Sequence, residues 1–95
     1  MANYKIDGST IHISGDISIN DGESLYNFLK ELPFSSKKVK VNLKRAESWD
    51  MSTLQIFISW MKSSDMEIVW KNIPKEMKND LKLTGLANLF KEVEK

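Results

Sequence analysis

The hydrophobic pattern of this chain switches period repeatedly, and that switching restricts it to folds in which strands alternate with helices. Val39-Lys40-Val41-Asn42-Leu43 alternates strictly, the period of a strand with one face buried and the other in water. Before it, Leu25, Phe28, Leu29 and Leu32 recur at helical spacing, and after it Leu54, Phe57, Ile58 and Met61 repeat the same spacing. Each set makes the apolar stripe of a helix that packs on a core.

The remaining segments fit between these. Tyr4 to Ile6 and Thr10 to Ser14 read as a hairpin around Asp7-Gly8-Ser9, whose Asp-Gly pair is a turn signal. Ile11 and Ile13 share a face that His12 does not, and Ile17 and Ile19 continue the alternation past Gly15-Asp16. Asn20 or Asp21 is placed to cap the first helix and Pro33 to close it. Lys44 to Asp50 reads as a loop, the second helix starts close to Ser52, and Ser63-Ser64-Asp65 ends it. Glu67 to Trp70 is a further strand, and Asn72-Ile73-Pro74 leads into a third helix interrupted at Gly85. Leu86, Leu89, Phe90 and Val93 then predict a last helix docked on the core. The order β, β, α, β, α, β, α, α combines crossovers, which impose parallel pairing, with one antiparallel hairpin. The expected fold is α/β, a mixed sheet with helices mainly on one face.

With 95 residues the chain has room for one domain, spanning 1–95. Fourteen basic against thirteen acidic side chains leave a net charge of +1, too little to hold a nucleic-acid backbone. Without cysteine there is no disulfide framework, thiolate metal site or cysteine nucleophile. The start, Met1-Ala2-Asn3-Tyr4-Lys5-Ile6-Asp7, lacks the pattern of a secretory signal and no stretch reaches a membrane-spanning length, so the expected location is the cytoplasm, without membrane insertion. His12 stands without a second His or a Cys, and Asp7, Asp16, Asp21 and Asp50 show no catalytic spacing. No enzyme, metal or cofactor is expected.

Three segments, in order and spacing, resemble the STAS domains, the family of sulfate transporters and anti-sigma-factor antagonists. Ile11-His12-Ile13-Ser14-Gly15-Asp16-Ile17 is similar to the family's second strand. Val39 to Lys44 followed by Asp50-Met51-Ser52-Thr53-Leu54 is similar to the strand and helix start that in the family read Asp-Leu-Ser and then Asp-Ser-Ser-Gly-Leu. Leu81-Lys82-Leu83-Thr84-Gly85-Leu86 with Leu89-Phe90 looks like its closing pattern. The resemblance implies a STAS-like fold and a protein-binding regulatory module. In the antagonists the second Ser of that motif is phosphorylated by a partner kinase, and the matching residue is Ser52. Asn42, Met51 and Thr53 stand where the family usually has Asp, Ser and Gly. The implied partner is an anti-sigma-factor kinase. The alternative is a non-switching subunit or scaffold of a lipid-transport ABC complex or a chemotaxis assembly, with an ABC ATPase or sensory complex as partner.

A phosphate of about −1.5 to −2 charge at Ser52 would meet a helix N-terminus and lie beside Asp50. Ser52 and Asp50 are equally suited to be plain helix caps, each contributing about 0.5–2 kcal/mol. Lys44 and Arg45 are either a solvated basic run or a grip on that phosphate. Trp49 is either a buried loop anchor or an exposed hot spot, and Ile56 with Trp60 widens the apolar surface of the second helix. The expected partner surface comprises Trp49, Asp50, Ser52, Thr53, Ile56 and Trp60.

Overall fold

Residues 2–17, 22–32 and 38–93 are described by a computed structural model. Its elements are β1 (Asn3–Asp7), β2 (Thr10–Ile17), α1 (Gly22–Lys30), β3 (Lys38–Asn42), β4 (Ala46–Trp49), α2 (Met51–Ser63), β5 (Glu67–Lys71) and α3 (Lys75–Thr84). The sequence-based expectations at Ile19, the Asn20 or Asp21 cap, Pro33 and residues 35–37 fall outside the described residues.

β1 and β2 form the expected hairpin, with Asp7 opposite Thr10 across Gly8-Ser9. β2 pairs in parallel with β3, and β3 with β5, so the sheet is mixed and runs β1-β2-β3-β5. Alternation decides what is buried. Ile11, Ile13, Val39, Val41, Ile68 and Trp70 lie in the core, as do Leu25 and Leu29 of α1 and Leu54 and Phe57 of α2. Burial of each such side chain contributes about 1.5–3 kcal/mol. Trp70 is the centre of the aromatic packing, edge-on to Phe57 at 5.0 Å and to Trp60 at 6.3 Å, and tilted on Phe90 at 4.7 Å. At the other end of the sheet Tyr4 stacks on Phe28 at 4.7 Å and so attaches the outer strand to α1.

Two expectations are corrected. The stretch read as a loop contains β4, which pairs in parallel with the far end of β2. Gly15 takes φ 84° where the register shifts, and its N–H donates to the Arg45 carbonyl at 2.9 Å. This bulge bends β2, so that its second half meets β4 after its first half has met β3. The closing helix is absent. Gly85 ends α3 in the left-handed region at φ 75°, a single 3₁₀ turn follows over Ala87–Leu89, and residues 91–93 then run beside β5. Trp70 N–H donates to the Lys91 carbonyl and Val93 N–H to the Trp70 carbonyl, both at 2.8 Å. The unpaired backbone of an outer strand attracts this segment more strongly than helical spacing can coil it. Phe90 is buried, so the docking expected of the segment occurs without the helix.

Candidate functional site

β4 delivers the chain directly into α2, and the turn between them is held from several directions. Asp50 is the N-cap: its carboxylate accepts from Thr53 N–H at 3.0 Å, while Asp50 N–H points back to Thr53 Oγ1 at 3.5 Å, a reciprocal capping box. Thr53 Oγ1 also reaches the carbonyl of Ile17, where β2 ends. The helix start is thereby attached to the sheet as well as to itself. Just ahead of it, Trp49 Nε1 donates to Asp80 Oδ2 of α3 at 2.9 Å, bringing the third helix to the same corner.

This geometry divides the six residues expected to form a partner surface. Thr53 is 1% exposed and Trp60 5%, so both belong to the interior. Thr53 is consumed by the cap and the Ile17 carbonyl, and Trp60 packs on Trp70. Its place next to the core stripe widens the buried face of α2. Trp49, Asp50, Ser52 and Ile56 are half-buried and remain accessible at the corner. Met51, absent from the expected set, is exposed at 44%.

Ser52 occupies the second position of α2. The capping role open to it from the sequence is filled by Asp50, and among the described residues the Ser52 hydroxyl has no hydrogen-bond partner. The same holds for the N–H groups of Met51 and Ser52, whereas those of Thr53 and Leu54 are taken by the Asp50 side chain and carbonyl. The arrangement leaves a reachable hydroxyl next to unpaired donors at the positive end of a helix dipole.

Lys44 and Arg45 do not serve this corner. They sit in the turn before β4, and the four residues Ala46–Trp49 separate them from Asp50, roughly 13 Å of extended strand. Asn42, standing where the family has Asp, accepts at Oδ1 from Lys44 N–H at 2.9 Å and from Asn72 Nδ2 at 3.1 Å. It fixes the β3 turn and a residue in the left-handed region, Asn72 at φ 58°. Two partners of the corner had no local signal in the sequence. Asp80 lies 31 residues from Trp49, and Ile17 contributes only a backbone carbonyl 36 residues from Thr53. Among the described residues no group of three His, Asp or Glu is placed to hold a metal ion, and no helix is long and apolar enough to cross a membrane.

Comparison with solved structures identifies the fold. An anti-sigma factor antagonist from Mycobacterium paratuberculosis superposes with a TM-score of 0.79 at 14% identity, over 100% of this chain and 86% of its own. A candidate anti-sigma factor antagonist from Thermotoga maritima matches with a TM-score of 0.73 at 19% identity, over 99% and 86%. The Bacillus cell fate determinant SpoIIAA in its phosphorylated form matches with a TM-score of 0.68 at 14% identity, over 100% and 93%. No protein-family model matches the sequence, and no curated protein matches it significantly. The fold is the STAS fold of the anti-sigma factor antagonists.

Proposed function

We propose that the chain acts as one protein-binding regulatory module of the antagonist kind, in the cytoplasm, with the β4–α2 corner as its partner surface and Ser52 as a phosphorylated switch. The observation that carries this reading is the division of labour at the start of α2. Asp50 and Thr53 perform the capping, and Ser52 is left with an uncommitted hydroxyl at the solvent side of a fixed turn. Thr53, in the position usually held by Gly, turns its branched side chain inward and leaves the outer approach open. The solved SpoIIAA is phosphorylated, which supports carrying a phosphate cycle over to this fold. A phosphate on Ser52 would be received by the N–H groups of the first turn and would place about −1.5 to −2 charge beside Asp50, in the middle of the surface a partner must cover. Association is lost while the fold is kept.

The test is recovery of the tagged protein from the cells that make it, with mass spectrometry of both the bound proteins and the Ser52 peptide. A small histidine-kinase-like ATPase as partner, and a Ser52→Asp variant that binds it about tenfold or more weakly than wild type while Ser52→Ala does not, is the expected result. Equal binding by Ser52→Asp overturns the switch. An ABC ATPase or receptor complex recovered with unmodified Ser52 replaces it with a constitutive scaffold on the same fold.

A further inference from the structure

The face of the sheet turned away from the helices gathers positive charge that the chain as a whole lacks. Strand register determines what lies there. Lys5, His12 and Asn42 are successive partners across β1, β2 and β3, and Asn42 is opposite Lys71 on β5. In the next row Lys40 lies between Thr10 and Val69. Lys44 and Arg45 add two cations at the β3–β4 turn, and with Lys5, His12 and Asn42 they line a concavity of about 590 Å³. Its one acidic lining residue is Asp7. Lys5, Lys44 and Arg45 have no carboxylate partner among the described residues. A net charge of +1 over 95 residues makes three cations to one acid in a single hollow a local segregation, and such a hollow concentrates anions.

We propose that this concavity binds a small soluble molecule bearing phosphate, held by Lys5, Lys44 and Arg45 with the His12 ring and the Asn42 amide as hydrogen-bond donors. Asn42 Oδ1 already accepts from Lys44 N–H and Asn72 Nδ2, which orients its own Nδ2 group as a donor. A guanidinium fork beside two ammonium groups matches the oxygens of a phosphate in geometry as well as charge. The volume falls in the range of small-molecule sites. No Phe, Tyr or Trp lines it, so it lacks the broad aromatic platforms on which the bases of a single strand stack. The site lies at the opposite end of β4 from Ser52 and stands or falls separately from the switch.

Titration of the ¹⁵N-labelled protein with inorganic pyrophosphate at low ionic strength tests it by nuclear magnetic resonance. Saturable shifts confined to residues 3–5, 12–14 and 42–45 are expected. The double variant Lys44→Glu/Arg45→Glu is expected to bind about tenfold or more weakly. The bonds that hold this turn, from Lys44 N–H to Asn42 Oδ1 and from Gly15 N–H to the Arg45 carbonyl, use only backbone atoms of residues 44 and 45 and survive the change. Lys75→Glu removes an exposed cation from α3 and is expected to leave affinity unchanged. Non-saturating shifts, or an equal loss in Lys75→Glu, overturn the site in favour of diffuse charge. Binding to phosphatidic acid vesicles or to a single-stranded RNA oligomer without a saturable pyrophosphate response also overturns it.

Discussion

α2 and α3 begin in opposite ways. α2 starts on a capping box whose Thr53 is also tied to the end of β2, and it buries Leu54, Phe57, Ile58 and Trp60 beneath that cap. α3 starts at Pro74 with no side-chain cap, and of its own residues only Met77 and Leu81 are buried. The contrast shows how a hydroxyl can be presented with a defined position: the helix carrying Ser52 is fixed at its first turn by local and long-range bonds, then along its length by packing. α3 is held by the burial of Met77 and Leu81 and, at its edges, by Asp80 to Trp49 and Lys78 to Glu92.

The strongest way to break this contrast is to remove the anchor of each helix in turn. Phe57→Ala is expected to cost about 3–5 kcal/mol and Met77→Ala about 2–3 kcal/mol in urea unfolding, because Phe57 leaves a cavity against Trp70 in the middle of the core. Equal losses would mean that α3 is as firmly embedded as α2. A smaller effect tests the bonds of the Thr53 hydroxyl. Thr53→Val keeps the shape but leaves both the Ile17 carbonyl and the Asp50 N–H without that partner, an expected loss of about 1–3 kcal/mol, accompanied by faster amide hydrogen exchange in the first turn of α2. An unchanged exchange rate there would assign the turn's rigidity to the Asp50 cap alone. Smallest is the comparison of the caps themselves: Asp50→Ala is expected to lower stability by about 1 kcal/mol, whereas Pro74→Ala stays within about 0.5 kcal/mol. A Pro74→Ala loss as large as that of Asp50→Ala would erase the distinction.

Much of this architecture can be read from periodicity. Val39, Val41 and Leu43 are buried as their alternation requires, and the stripes of α1 and α2 face the core as spaced. β4 had no such signal. Ala46-Glu47-Ser48-Trp49 alternates neither in polarity nor in burial, and it is a strand because the bulge at Gly15 exposes a pairing edge on β2. That omission also explains why Lys44 and Arg45 looked close enough to serve Ser52: a loop can fold back, but a strand holds its ends apart. Leu86, Leu89, Phe90 and Val93 have helical spacing without a helix, because spacing reports which residues can share a face and nothing about a competing strand edge. At the corner, Ser52, equally suited to cap by type, does not do so, whereas the cap at Asp50 was legible from its residue type and place. Burial of Thr53 and Trp60 was not, since it depends on Ile17 and Trp70, which only the folded chain brings near.

The pairing of residues 91–93 with Trp70 also has a consequence for the order in which the molecule is made. During synthesis every strand from β1 to β5 leaves the ribosome before the segment that covers the outer side of β5, and for that interval the edge at Trp70 lacks its partner. The backbone bonds of Lys91 and Val93 to Trp70 end that interval, and the ion pair of Glu92 with Lys78 lies across the closed seam.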